Sequence, residues 1–241
     1  MLVITPVVIG ILLLLKFFLK TDLLFLSDVG SVSGYLTVIG THYSILTAFI
    51  IFVVWDRFNK TSDAVDNEIN NLSDIITYVE YMDDVDATAD IKKTVSDYVR
   101  SVVDEEWKSL ERGKVSPNSV KRFREIFHSI RSIKFDDSKD PIAWQAIIKK
   151  YEQVSDSRIE RITLSTTRIP RVLKVLFYLV SFSVIVGFFL LGIENSIVAI
   201  GITAITTTVI VLVIEVVNDL DNPFSGKWAI TAEPFRVLIQ E

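Results

Sequence analysis

The sequence predicts an all-α integral membrane protein with four transmembrane helices and a cytoplasmic antiparallel helical bundle inserted between the second and third. Two observations lead to this fold class. Half of the 241 residues are hydrophobic, and they are concentrated in four stretches separated by a charged middle. Each stretch is close to or above the roughly 17 residues that a helix needs to cross a bilayer. The middle keeps helical spacing of its apolar residues and shows no strand-like alternation.

The two N-terminal stretches each carry a feature typical of a membrane helix. The first, Val3–Leu19, is interrupted only by Lys16 and lacks the polar face that a helix lying on the membrane surface would need. The second, Tyr35–Trp55, has no charged residue and is followed at once by Asp56 and Arg57. An aromatic residue followed by charges is expected at a membrane boundary.

The third and fourth stretches, Val172–Ile193 and Ile197–Val217, are separated by only three residues. A connection this short predicts an antiparallel helical hairpin. The expected divisions of the chain are therefore 1–55 for the first two membrane helices, 56–170 for the inserted domain, 171–218 for the hairpin and 219–241 for a tail.

Basic residues predict the orientation, because they accumulate on the cytoplasmic side of membrane proteins. The loop of the hairpin, on the predicted outer side, has no basic residue. Lys16 and Lys20 also lie toward that side, but the basic residues that flank the inserted domain outnumber them. The inserted domain and both termini are therefore expected in the cytoplasm, in a multi-pass protein of the cell membrane. The flanking residues are Arg57, Lys60, Arg158, Arg161, Arg168, Arg171 and Lys174.

Local signals divide the inserted domain into helices. No helix breaker lies between Trp55 and Ala64, so the second membrane helix is expected to continue well beyond the membrane. Gly113 is expected to end one helix as a C-cap. Ser116 with the following proline, and Asp140 with its own, are expected to begin two more. Pro170 is expected to kink the last helix of the domain.

The composition argues against several classes of function. The chain has no cysteine, which excludes disulfides and thiolate-ligated metals, and its two histidines are far apart in sequence. The net charge of −5 gives no support for nucleic-acid binding. No phosphate-binding loop or hydrolase motif is present, so the protein is predicted not to be an enzyme and to need no cofactor.

The second membrane helix carries small and hydroxylated residues at spacings of three and four, which places them on one face: Gly34, Thr37, Thr41, Ser44 and Ala48. The opposite side carries Ile39, Leu46, Ile50 and Val53. Such a face either packs closely against another helix or lines a hydrated path. His42 lies beside it, and a histidine inside a membrane is a functional candidate unless a backbone carbonyl satisfies it.

Three carboxylates lie close together where the fourth membrane helix ends, at Glu215, Asp219 and Asp221. Carboxylates this close repel one another unless a cation lies with them. A divalent cation bound by all three is one interpretation. The other is ion pairing with the basic set Arg168, Arg171 and Lys174.

Several motifs together resemble the bestrophin-like domain family of prokaryotes and plants. They are Gly34 through Arg57, Glu106-Trp107, Arg158 through Pro170, the Asp-Leu-Asp-x-Pro-Phe-x-Gly element from Asp219 to Gly226, and Glu233-Pro234-Phe235. The more remote resemblance to bestrophins implies a pentameric, mostly anion-selective ion channel whose second membrane helix lines the pore. Here Lys227-Trp228-Ala229 stands where the acidic calcium clasp of bestrophins would follow, so the resemblance does not imply calcium activation.

The resemblance and the polar helix face together predict an oligomeric ion channel, with anion conduction favoured by the resemblance alone. The chain is expected to form a cyclic homo-oligomer in the lipid bilayer and to conduct small ions. Thr37, Thr41 and Ser44 are expected to line the pore, and Phe49 and Phe52 to narrow it. The alternative is a non-conducting membrane scaffold or signalling protein whose cytoplasmic bundle binds a partner.

Overall fold

The computed structural model describes residues 29–82, 84–134, 140–191, 193 and 195–239. The predicted first membrane helix, Val3–Leu19, lies outside the described residues. Over those residues the chain forms α-helices and one π-helical turn, without a strand, which confirms the all-α class. The helices are α1 Val29–Glu80, α2 Val85–Ser101, α3 Trp107–Glu111, α4 Pro117–Arg131, α5 Asp140–Thr166, α6 Arg171–Leu190, α7 Ser196–Leu220 and α8 Glu233–Leu238. The π-turn, Val102–Glu106, joins α2 to α3.

The described chain divides into two compact units. The first contains α1 as far as Val54 together with Ile169–Asp221. The second contains Trp55–Arg168 together with the described residues that follow Asp221. Helix α1 belongs to both, since its 52 residues continue without a break from the apolar stretch into the polar one. The predicted extension of the second membrane helix is therefore confirmed.

Three described helices, α1, α6 and α7, are long and apolar enough to cross a membrane by length and composition. In the first unit, α6 and α7 form the predicted hairpin. The side chain of Asn195 accepts hydrogen bonds from the backbone N–H groups of Ile197 and Val198 and so caps α7. Near the other end of the hairpin, the Tyr178 hydroxyl donates to Asn218 Oδ1 over 2.7 Å.

Helix α1 packs against α6 in the first unit through an aromatic stack and one close approach. The rings of Tyr43 and Phe177 stack with their centroids 6.4 Å apart. At Gly187 a Cβ atom would lie 2.5 Å from Leu36 Cδ2 and 3.3 Å from Tyr35 Cε1. Because glycine has no Cβ, the Leu36 and Tyr35 side chains of α1 can approach the backbone of α6 closely at this position.

The second unit has a continuous apolar core built from α1, α2, α4 and α5. The C-terminal tail joins this core, because Phe224 and Phe235 are buried in it. Their rings lie 5.0 and 5.7 Å from the ring of Trp107. The indole N–H of Trp107 also donates to the carbonyl of Ile230 over 3.0 Å. Residues from Asn222 onward are thus part of the second unit.

The local signals in the inserted region mostly have the predicted outcome. Gly113 lies two residues after the end of α3 and has a φ of +66°, and its N–H bonds to the carbonyl of Leu110, as in a glycine C-cap. The Ser116 side chain accepts from the Ser119 N–H, and Pro117 is the first residue of α4. The expectation of a kink at Pro170 is wrong. Helix α5 ends at Thr166 and α6 begins at Arg171, so four non-helical residues interrupt the helix.

Candidate functional site

The face of α1 that carries Thr37, Thr41 and Ser44 is exposed in the single chain. Each hydroxyl donates a hydrogen bond of 2.8–2.9 Å to the backbone carbonyl four residues earlier. A serine or threonine hydroxyl has one proton and two lone pairs. In this conformation each hydroxyl proton is donated to the backbone, so the three oxygens can only accept hydrogen bonds or contact cations from their surroundings.

The same exposed side continues through two phenylalanines that the sequence predicts to narrow a pore. Phe49 is 56% exposed and Phe52 is 69% exposed. Ile45, which the sequence analysis did not single out, is equally exposed between the hydroxyl residues and Phe49. On the opposite side Ile50 is almost fully buried, and Ile39, Leu46 and Val53 are half-buried. The face with the hydroxyl groups is therefore the more exposed of the two predicted faces.

His42 is satisfied by its own helix. Its Nδ1 lies 2.8 Å from the carbonyl oxygen of Val38, one turn earlier. The backbone carbonyl thus takes up one of the two ring nitrogens.

The carboxylates at the end of α7 do not form a metal-binding group. Among the described residues no three His, Asp or Glu side chains are close enough together to hold a metal ion. Asp221 is buried, and its Oδ1 accepts the backbone N–H of Ile169 over 2.8 Å. Its Oδ2 lies 3.3 Å from Lys174 Nζ. Glu215 and Asp219 are half-buried. Ion pairing is thus observed at Asp221, with one member of the basic set that the sequence indicates.

A cluster of five buried polar side chains lies in the second unit: Glu68, Tyr98, Glu106, Arg158 and Arg161, called here the buried charge cluster. Arg161 Nε and Nη2 bond to the two carboxylate oxygens of Glu68 over 2.7 and 3.1 Å. Arg161 Nη2 also donates to Glu106 Oε1, and Arg158 Nη2 donates to Glu106 Oε2, both over 2.8 Å. The Tyr98 hydroxyl donates to Glu68 Oε1.

The formal charges of this cluster cancel, with two carboxylates facing two guanidinium groups. Burial raises the pKa of Tyr98 well above its usual value, and the charge of Glu68 raises it further. Burial alone would lower the pKa of Arg161, but Glu68 and Glu106 outweigh this effect and hold it well above its usual value. Both groups therefore keep their protons at neutral pH.

Aromatic rings enclose the guanidinium groups. Arg161 Cζ lies 5.6 Å from the ring centroids of both Trp107 and Phe235. Arg158 Cζ lies 5.4 Å from that of Phe123. Among the described residues Arg161 Nη1 has no hydrogen-bond acceptor, and the two flanking ring faces attract its positive charge.

This cluster is not predicted by the sequence patterns. By sequence, Arg158 and Arg161 belong to the positive charges that flank the membrane, whereas the structure buries them beside carboxylates. Glu68 offered a signal, because it lies three residues after Val65 and four before Leu72, within the apolar stripe of α1. A charged residue in an apolar stripe indicates a buried partner of opposite charge.

The turn after α7 is also part of the second unit. The Asn222 side chain accepts from the Phe224 N–H and donates to the carbonyl of Glu111. Phe224 is buried against Trp107. Glu106-Trp107 and the Asn-Pro-Phe element, two of the motifs that carry the family resemblance, therefore meet in one region.

The Bestrophin-like domain family matches residues 2–235 of the sequence. The chain belongs to this family. The family assignment made from the sequence motifs is thereby confirmed, and with it the protein's membrane location. Among curated proteins no sequence matches the chain.

Solved structures of bacterial relatives share the fold of this Bestrophin-like protein. The crystal structure of a bacterial Bestrophin homolog from Klebsiella pneumoniae, obtained by Zn-SAD phasing, superposes with a TM-score of 0.76 at 8% sequence identity, covering 99% of this chain and 94% of that one. A point-mutated form of the homolog gives a TM-score of 0.75 at 10% identity, covering 96% and 98%. At such low identity the similarity establishes the fold alone.

Proposed function

We propose that the protein is an oligomeric ion channel of the bestrophin type whose pore is lined by the exposed face of α1. The observation that carries the proposal is that the charge-free, apolar stretch of α1 leaves a face with Thr37, Thr41 and Ser44 exposed in the single chain. Exposed hydroxyls facing lipid gain nothing, whereas around a hydrated axis they make weak contacts with passing ions. Membership of the Bestrophin-like family supports the same role.

Conduction by this chain requires several copies. A bundle of four membrane helices has no room for a hydrated path between them, so the path lies on an axis shared by several chains. Membrane proteins of one orientation assemble around an axis along the membrane normal, which gives cyclic symmetry. In such a ring Thr37, Thr41 and Ser44 form stacked hydroxyl rings one to two turns apart. Phe49 and Phe52 form an apolar constriction beyond them.

The family resemblance and the side-chain geometry predict opposite ion selectivities for the pore. The resemblance to bestrophins favours anions. The hydroxyls of Thr37, Thr41 and Ser44 donate their protons to the backbone and offer lone pairs, which suits cations. To bind an anion, each hydroxyl must rotate away from its carbonyl. The reversal potential in a KCl gradient across a planar bilayer distinguishes the two, because its sign follows the permeant ion.

The pore assignment is tested by a cysteine scan during current recording, which the absence of native cysteine makes clean. A water-soluble thiol reagent should block current through the variants Thr37→Cys, Thr41→Cys and Ser44→Cys. Ile50→Cys is the matched control, since Ile50 is buried on the opposite side of the same helix. Block at position 50 alone, or equal block at all four, would refute the assignment.

The alternative proposal is a non-conducting scaffold, in which the same α1 face is a seam between copies. It predicts that a purified, folded oligomer carries no current and that thiol reagents do not react with the cysteine of Thr41→Cys.

The predicted orientation has its own test. A cysteine at Asn195, in the loop of the hairpin, should react with an impermeant reagent added outside intact cells, and labelling only after lysis would reverse the orientation.

A further inference from the structure

The turn that follows α7 is held rigidly at both ends. The N–H of Ser225 bonds to the carbonyl of Asn222, and the N–H of Ile230 bonds to the carbonyl of Pro223 over 2.8 Å. Gly226, with a φ of +97°, adopts a backbone conformation that glycine tolerates best. The carbonyl of Ile230 in turn accepts the indole N–H of Trp107. The conformation of residues 222–230 is therefore fixed by the fold of the second unit.

This fixed turn presents a tryptophan at the surface. Trp228 is 51% exposed and Lys227 beside it is exposed as well. The Trp228 ring meets the ring of Trp55 edge to face, with a centroid separation of 6.2 Å and an interplanar angle of 73°. Trp55 is itself 44% exposed. Two large aromatic side chains thus form one exposed patch, to which the end of α1's apolar stretch and the tail each contribute one.

The position of Trp55 fixes where this patch lies. Trp55 is the last residue of the charge-free apolar stretch of α1, and Asp56 and Arg57 come next. The end of that stretch is where a membrane helix leaves the hydrocarbon core. Since Trp228 contacts Trp55, the tip of the C-terminal turn lies at the same depth as this boundary.

We propose that the Trp55–Trp228 patch is inserted in the phospholipid headgroup layer, so that the C-terminal turn rests on the membrane surface. Indole rings favour this layer, because their apolar body contacts acyl chains while the N–H meets polar headgroups. Lys227 lies beside the patch and places a cation at the level of lipid phosphates. The proposal concerns the tail and the lipid surface and is independent of ion conduction.

The depth of position 228 can be measured directly in the full-length protein. Trp228→Cys is labelled with a nitroxide, the protein is reconstituted in phosphatidylcholine vesicles, and collision rates with oxygen and with a water-soluble nickel chelate are compared. The matched control is Tyr81→Cys, because Tyr81 is also an exposed aromatic residue, 66% exposed. It lies just after α1, about 39 Å beyond Trp55 at 1.5 Å per residue.

The label at position 228 should collide several-fold more often with oxygen, relative to nickel, than the label at position 81. A ratio equal to that at position 81 would place the turn in water and overturn the proposal. Protection from both reagents would also overturn it and would indicate a contact between copies of the chain. In the unlabelled protein, brominated phosphatidylcholine should quench a smaller absolute fluorescence intensity in Trp228→Phe than in the wild type. The intensity quenched in Trp144→Phe should equal that in the wild type, and equal losses in both variants would contradict the proposal.

Discussion

Changing Glu106 to Gln removes one negative charge from the buried charge cluster and keeps the size of the side chain. The carboxylate of Glu106 accepts one hydrogen bond on each oxygen, from Arg161 Nη2 and from Arg158 Nη2. An amide has only one acceptor oxygen. In either orientation its NH₂ group therefore faces a guanidinium N–H, and one of the two arginines loses its bond.

The magnitude follows from these contacts. Hydrogen bonds to charged groups contribute about 1.5–3 kcal/mol each, and breaking a buried ion pair costs about 3–5 kcal/mol. Glu106 is fully buried, so solvent does not reduce this cost. Arg161 keeps Glu68 as a partner, which favours the lower part of the range. At roughly 2–4 °C per kcal/mol for a chain of this size, a loss of about 3 kcal/mol in Glu106→Gln should lower the thermal midpoint by roughly 6–12 °C.

Thermal unfolding of the purified protein in mild detergent, followed by near-ultraviolet circular dichroism, measures this loss. The signal reports on the cluster because the ring of Trp107 packs against Arg161. Glu105→Gln is the matched control, since Glu105 precedes Glu106 in sequence and is exposed. The hydrogen bonds described for its carboxylate come from the neutral side chains of Ser116 and Asn118. Its midpoint should stay within about 2 °C of the wild type. Equal midpoints for the two variants would refute the argument.

Two further substitutions test the first unit. Gly201 has open space around it, so Gly201→Ala should stabilise the protein by about 0.5–1 kcal/mol through helix propensity. Gly187→Ala should give a protein about 1–3 kcal/mol less stable than Gly201→Ala, because the new Cβ would lie 2.5 Å from Leu36 Cδ2. Equal thermal midpoints for the two variants would contradict the close approach. Asp221→Asn removes the charge that faces Lys174 and should cost about 1–2 kcal/mol, between the values for exposed and buried pairs. An unchanged midpoint, together with the loss of a calcium-dependent stabilisation, would instead favour a metal at Asp221.

The helices were predictable because their signals are local. A proline after Ser116 and a glycine at position 113 act on the backbone within one turn, so they carry the same meaning in any context. The hairpin followed from a connection too short for any other arrangement. A kink was expected at Pro170 where the structure has a four-residue break. A proline in the sequence indicates that a helix is disturbed, but it does not indicate how long the non-helical segment is. Here Asp221 bonds to the N–H of Ile169 and so stabilises the non-helical segment.

The buried charge cluster was not predictable in the same way, because its members come from positions up to 93 residues apart. Periodicity identifies which face of a helix is apolar, but it does not show which two charges meet. Arg158 and Arg161 therefore had the appearance of surface charges next to a membrane segment. Arg57 of the same basic set is buried as well. Of the seven residues, Lys60, Arg168, Arg171 and Lys174 are the ones outside the buried set, and the predicted orientation rests on them.

The π-turn at Val102–Glu106 has a consequence for comparing this sequence with those of relatives. The N–H of Trp107 bonds to the carbonyl of Val102, five residues earlier, where an α-helix would use the fourth. One extra residue is thus accommodated inside a continuous helix. A relative with a regular α-helix here aligns correctly only with a one-residue gap in mid-helix, where alignments normally avoid gaps. Without that gap, every residue on one side of the turn is misassigned by about 100° around the helix axis, and Glu106 would be matched to a surface position.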